Sequence, residues 1–431
     1  MKQKIALFVL YYLRFFAKLQ LRKNKNCKIV GVTGSAGKTS TRNAIYSVLK
    51  NKYKVKVSFK ANSESGISLN ILGLEMNDYS SLDWLRVLLL APIKVLSSFE
   101  KFDYYVVEMG VDSPNPPKNM EFLLSIIQPK MAVFLNAGIN HSFAFDHLST
   151  ETNPQLRKEQ LIKEICQDIE AESYSFGSDN ICDLQILNHQ TKIEGKEISS
   201  SFAFQVQSHY GKLKGQSQKL EIQIKGFLLP KHYAYSFAVA ILIGLKAGLN
   251  GKEIKKALEN NFHLPLGRAS IIEGKNGSVI VDGSYNASSM KDMIELMANL
   301  PQSNHRKIAL LGDMRELGEE TKQMHEEIAT LATKTFDQIF LVGKEMQKYA
   351  LPIIQKANIN KVEFFENSTL AGEKIAQLLR ANDLVFVKGS QNTIFLEEAM
   401  KLMMKDRKEA KKLLCRQSPW WLSVKRQAAA K

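Results

Sequence analysis

Lys28-Ile29-Val30-Gly31-Val32-Thr33-Gly34-Ser35-Ala36-Gly37-Lys38-Thr39-Ser40 is the stretch on which the reading of this chain turns. Its first five residues form a short β-branched run. The middle is rich in glycine, and Ala44, Ile45, Val48 and Leu49 follow at helical spacing. Strand, glycine loop and helix in that order make a P-loop. Glycines let successive backbone N–H groups turn toward phosphate oxygens at the helix N-terminus, Lys38 adds a point charge, and the Thr39 hydroxyl can ligate Mg²⁺. Gly34, Ser35, Ala36, Gly37, Lys38, Thr39 and Ser40 are therefore the expected phosphate cradle. The loop departs from G-x-x-x-x-G-K-[ST] in having Val32 where the first glycine belongs.

Two more strands extend the pattern. Tyr104-Tyr105-Val106-Val107 runs into Glu108-Met109-Gly110, and Met131-Ala132-Val133-Phe134-Leu135 runs into a loop ending at His141. In an open parallel sheet the carboxyl ends of the strands face the ligand crevice. Glu108 is thus expected beside the metal, with an ordinary strand-end acid as the alternative. His141 falls at the same edge, where a solvated loop histidine is the alternative. Farther on, Val279-Ile280-Val281, Ile308 to Leu311, Gln338 to Val342 and Leu384 to Val387 alternate with helical segments. The fold class expected is α/β, a P-loop parallel-sheet ATPase domain followed by a second, Rossmann-like α/β domain. The segments are 1–26, apolar and basic; 27–265, ATP-binding; 266–405, the second α/β domain; and 406–431, a basic tail containing Trp420-Trp421.

A length of 431 residues allows two or three domains. Lys and Arg number 59 against 43 Asp and Glu, a net charge of +16, so a polyanionic partner is expected. No aromatic-interleaved basic pattern accompanies that charge, and nucleic acid is not the expected partner. The four cysteines lack C-x-x-C spacing, which suggests neither a disulfide framework nor a zinc site and points to a reducing, cytoplasmic location. Ile5 to Leu13 is too short to span a bilayer, which takes about 20 apolar residues. Residues 5–21 read either as an interfacial helix on anionic lipid, giving peripheral membrane contact, or as a helix packed on the protein's own core. Trp84 to Val95 reads as a packed helix, with a membrane-contacting surface patch formed together with the N-terminus as the alternative.

These motifs together resemble the Mur ligases, ATP-dependent amide-forming enzymes of cell-wall precursor synthesis, and within them the MurF type. The loop has the form G-x-T-G-[ST]-x-G-K-[ST], which accounts for the displaced first glycine. Val107-Glu108-Met109-Gly110, Asn136 with His141, Asp282-Gly283-Ser284-Tyr285-Asn286-Ala287, the stretch Leu310 to Glu319 with His325, and Val387-Lys388-Gly389-Ser390 carry the rest. The resemblance covers about residues 28–402. It departs where Gly283 replaces a second Asp, where His232-Tyr233-Ala234-Tyr235-Ser236 stands in place of H-N-x-x-N, and at Gln391. Few residues precede the P-loop strand, so the usual N-terminal domain that holds uridine diphosphate is not expected.

What the resemblance implies is phosphorylation of a substrate carboxylate by ATP and capture of the acyl phosphate by an amine. The partners are a nucleotide-linked or other anionic peptide plus an amino acid or dipeptide. Lys38, Glu108, His141 and Lys158 are the implied catalytic residues. Thr39, Glu108, His141 and a carbamylated Lys158 would hold Mg²⁺, with Lys163 as the competing lysine. Arg268, Asp282, Ser284, Tyr285 and Asn286 would bind the nucleotide. Two alternatives are a ligase of the same superfamily acting on a different acid, such as a polyglutamate or surface polymer, and a non-catalytic, membrane-associated nucleotide-binding protein.

Overall fold

The computed structural model describes residues 2–34, 36–59, 61–111, 113, 115–135, 174–194, 197–207, 218–287, 289–300, 305–315, 317–390 and 393–429. The chain divides into two compact units. The first comprises Met1–Leu187, Phe204–Leu220 and Tyr233–Phe262; the second comprises Asn188–Ala203, Glu221–His232 and His263–Lys431.

In the first unit, helix α1 (Lys2–Arg22) leads into β1 (Lys28–Thr33), the loop and α2 (Lys38–Leu49). Strand β2 (Val55–Val57), helices α3 (Glu64–Leu72) and α4 (Ser81–Ser97), β3 (Tyr104–Glu108), α5 (Met120–Ile126) and β4 (Met131–Phe134) follow. The sheet order is β2-β3-β1-β4, and its strands pair in parallel, with Val32 opposite Glu108. That register sets the end of β3 next to the start of the glycine loop. All five residues of β3 are buried, as a central parallel strand requires.

Helix α1 packs Leu13 and Ala17 into a core shared with Ile67, Leu72, Tyr105 and Phe122. The reading of residues 5–21 as a helix on the protein's own core thus holds for one of its faces, while Ile5, Phe8, Tyr11 and Phe15 stay exposed. Trp84 to Val95 lies within α4 and is packed through Val87 and Ala91, but Leu85, Leu89 and Ile93 point outward. The expectation of a packed helix is correct for its inner face alone. No described helix is long and apolar enough to cross a membrane.

A small sheet has the order β5-β6-β7-β8, from Phe176–Gly177, Leu184–Glu194, Glu197–Val206 and Gln218–Lys225. The second unit's six-stranded sheet comes from β9 (Ser270–Glu273), β10 (Val279–Gly283), β11 (Lys307–Gly312), β12 (Gln338–Val342), β13 (Val362–Phe365) and β14 (Leu384–Lys388). Its order is β13-β12-β11-β14-β10-β9, parallel except for β9. Apolar clusters that include Phe336, Leu341 and Phe386 in one case and Ile308, Leu310 and Val387 in the other share its alternating strand residues, which gives the doubly covered sheet of an α/β domain. Ala410 and Leu414, from the segment read as a tail, are buried in the second cluster.

Candidate active site

Gly37 ends the loop at φ +82°, a left-handed conformation that glycine adopts without steric cost, and from there α2 begins at Lys38. Lys38 Nζ donates to the Gly34 carbonyl at 2.6 Å, so the ammonium is folded across the loop it follows. Thr39 Oγ1 lies 3.1 and 3.0 Å from the two carboxylate oxygens of Glu108. Glu108 is nearly buried at the end of β3, and its backbone N–H donates to Ser58 Oγ at 2.8 Å. Arg42, one helical turn after Lys38, reaches the same carboxylate at 3.4 Å and donates to the Ser58 carbonyl at 2.6 Å. Ser40 is buried under the first turn of α2, and Ala36 is exposed at the loop tip.

Arg42 did not emerge from the sequence. The signal was present: a basic residue at i+4 from Lys38 lies on the same face of α2, over the strand that carries Glu108. Ser35, His141, Lys158 and Lys163 lie outside the described residues.

The hydroxyl and carboxylate of Thr39 and Glu108 test the expected metal. Adjacent ligands of an octahedron with bonds of about 2.1 Å are separated by about 3 Å, the spacing seen here, and both donors are the hard oxygens that Mg²⁺ prefers. Among the described residues no group of three or more His, Cys, Asp and Glu side chains is arranged around one point. Two protein oxygens, with phosphate and water completing the shell, is the usual pattern for Mg²⁺ on a nucleotide.

Arg268, Asp282, Ser284, Tyr285 and Asn286 come together in the second unit. The Arg268 guanidinium sits 4.5 Å over the Tyr285 ring, a cation–π distance. Asp282 is fully buried; its Oδ1 accepts from Ser284 N at 2.9 Å and Ser284 Oγ at 2.7 Å, while Oδ2 has no partner among the described residues. Burial raises this carboxyl to about 6 against the two Ser284 hydrogen bonds. Lys388 donates to the Asn286 carbonyl at 3.0 Å, and burial, then the nearby Arg268, pushes its ammonium down to about 7. At position 283, where the resemblance calls for Asp, a Cβ would stand 2.9 Å from the Val387 carbonyl oxygen; glycine there lets β10 and β14 pair closely.

The tail holds this cluster. Arg416 donates to both oxygens of the buried Glu397 at 2.8 and 2.6 Å and to the Ser284 and Tyr285 carbonyls at 2.7 and 3.0 Å. Lys425 adds a 2.7 Å pair to Glu397. No motif in the basic tail announces this role. Of the other quoted stretches, His325 is fully buried, accepts at Nε2 from Met314 N and bonds the Thr321 carbonyl through Nδ1, so it braces the Asp313 turn. His232 pairs with Asp292 at 2.8 Å.

Two family models match the chain: the Mur ligase middle domain over residues 32–243 and the Mur ligase glutamate ligase domain over residues 267–391. The chain is 30% identical over 339 residues to the UDP-N-acetylmuramoyl-tripeptide–D-alanyl-D-alanine ligase of Borreliella burgdorferi, covering 74% of this chain and 62% of that one. The Bacillus subtilis enzyme of the same name is 26% identical over 382 residues, covering 87% and 75%. Among solved structures, the MurF ligase of Thermotoga maritima in complex with ADP superposes with a TM-score of 0.66 at 20% identity, over 94% of this chain and 84% of that chain. Folylpolyglutamate synthase of Mycobacterium tuberculosis gives 0.57 at 12% identity, over 91% and 94%. With both domain models matched in order along most of its length, the chain belongs to the Mur ligase family.

Proposed function

We propose that this chain is an ATP-dependent, amide-forming ligase of peptidoglycan precursor synthesis. It joins the carboxylate of a nucleotide-linked peptide to the amine of a dipeptide, as the names of its relatives describe for those proteins. The observation that carries this reading is the meeting of Thr39 with Glu108 beside Lys38, at the carboxyl edge of a parallel sheet, in a chain matched by both Mur ligase models.

The chemistry balances in two steps. A carboxylate oxygen attacks the γ-phosphorus of ATP and ADP leaves, giving an acyl phosphate. The amine then attacks the acyl carbon, phosphate leaves, and the nitrogen gives up a proton. Lys38 would turn from the Gly34 carbonyl to the outer phosphates, where charge grows as the phosphoryl group moves. Thr39 and Glu108 would hold Mg²⁺, which supplies charge neutralisation when bound. Arg42 and Ser58 keep the Glu108 carboxylate in place.

His141 and a carbamylated Lys158 belong to the same proposal as further oxygen- and nitrogen-donor positions, with Lys163 as the alternative register. Arg268, Asp282, Ser284, Tyr285 and Asn286 are assigned a binding role on the second unit. The domain reading of 27–265 for ATP and 266–405 for the second α/β domain, action in the cytoplasm, and peripheral lipid contact through residues 5–21 complete it.

The test is an acceptor screen read by phosphate release. UDP-N-acetylmuramoyl tripeptide with D-alanyl-D-alanine should give release that needs both substrates. Release with a different acid alone would move the assignment to another ligase of the superfamily. ATP binding without release under any acceptor would make the protein non-catalytic.

A further inference from the structure

Helix α4 is apolar on its outside. Its exposed positions run Leu82, Leu85, Leu89, Ile93 and Leu96 at spacings of three and four, one continuous face, and these side chains are 53–78% exposed. Phe99, just beyond the helix, is 67% exposed. The inner face is already occupied by Val87 and Ala91 in the core, so the outer stripe is surplus to folding.

Helix α1 lies beside it and runs in the same direction. Tyr12 Oη donates to the Leu88 carbonyl at 3.0 Å, Gln20 to Ser98 at 3.1 Å, and Lys23 to Ser98 at 2.9 Å. Its exposed positions read Ile5, Phe8, Tyr11, Phe15, then Lys18 and Arg22, an apolar end passing into a basic one. Among the described residues, 12 of the 21 exposed large hydrophobic side chains fall on α1, α4 or their flanks Tyr79 and Phe99. That concentration exceeds the scattered exposure normal for a soluble surface.

Charge names the occupant. Helix α1 carries Lys2, Lys4, Arg14, Lys18 and Arg22 and no Asp or Glu. In α4 the one acid, Asp83, is buried and spent on Arg86 and on the backbone N–H groups of Asn77, Asp78 and Tyr79. A second copy docked on this face by a two-fold axis would set basic rim against basic rim. An anionic lipid surface instead offers acyl chains to the leucine stripe and headgroup charge to Lys18 and Arg22.

We propose that the outward faces of α1 and α4 form a peripheral docking surface for an anionic lipid bilayer, with the leucine stripe inserted at the level of the headgroups and Lys18 and Arg22 at the lipid phosphates. Lipid docking stands apart from the ligase chemistry and is read by binding alone.

The test is vesicle flotation of the full chain on phosphatidylcholine, with and without phosphatidylglycerol. The protein should float with the anionic vesicles and lose at least about tenfold in affinity on pure phosphatidylcholine or at high salt. Leu85→Ser/Leu89→Ser/Ile93→Ser should lower binding by at least about tenfold, and Lys18→Glu/Arg22→Glu should remove the preference for anionic lipid. These positions are exposed, so the thermal midpoint should hold, and each variant checks the other. Unchanged flotation of both variants, or no flotation of the native chain, would overturn the proposal. A native dimer made monomeric by the triple serine variant, without vesicle binding, would give the face to a second copy.

Discussion

Around Glu108 the first unit gathers charges that satisfy one another, whereas around Asp282 the second unit buries charges that do not. Both Glu108 oxygens face the Thr39 hydroxyl, and Arg42 reaches one of them. Among the described residues one Asp282 oxygen has no partner, and Lys388, also buried, is pushed toward its neutral form. Burial of an unpaired charge destabilises a fold, and groups held in that state are candidates for work on a ligand. The contrast also shows where rigidity comes from. At Glu108 the strand register and the nearby Arg42 and Ser58 suffice, while the second cluster needs Arg416, from 132 residues beyond Ser284, to clamp its turn.

The largest effect should come from breaking that clamp. Arg416→Ala leaves the fully buried Glu397 carboxylate with Lys425 as its counter-ion, strips the Ser284 and Tyr285 carbonyls of their donor, and should cost about 3–5 kcal/mol in chemical denaturation. A loss below about 1 kcal/mol would mean that the tail merely rests on the second unit. Lys38→Ala should lower turnover by about 10²–10³-fold while leaving the denaturation midpoint in place, because this ammonium serves the loop and no core. Near-native turnover would dissolve the difference between the two centres.

Asp282→Asn sharpens the comparison through pH. With its carboxyl raised from 3.8 to about 6, the native state holds a proton between those values that the unfolded chain has lost. Stability from this group therefore falls as pH rises through about 4 to 6. The variant should gain about 1–3 kcal/mol over the native chain above pH 6, converge with it near pH 4, and lose acceptor-dependent turnover. Equal stability at all pH values would show that the buried carboxylate is compensated after all. The smallest effect is expected in the first unit: Thr41→Val removes a buried 2.8 Å hydrogen bond to Ser236 and should cost about 1 kcal/mol without changing nucleotide turnover.

Residues 28–40 were legible because the strand, loop and helix that make a phosphate cradle are contiguous in sequence. Glu108 was legible one step further, from the rule that strand ends face the crevice. The residues of the second cluster were named through the family resemblance alone, and the clamp that holds them was not legible, since it depends on Arg416 adopting φ +52°, a conformation uncommon for a side chain of this size, which turns the tail back onto β10. Neither charge nor periodicity announces that turn. Helix α4 was half legible for a different reason: a stripe apolar on every side carries no phase, so sequence shows a helix without telling which face is inside.

Calorimetric titration of ATP, with and without Mg²⁺, into the native chain and Glu108→Gln tests the centre of this account. The native chain should bind ATP more tightly with Mg²⁺, and the variant should keep its metal-free binding but lose most of the Mg²⁺ enhancement. An unchanged enhancement in Glu108→Gln would contradict the assignment of Thr39 and Glu108 as the metal-binding pair.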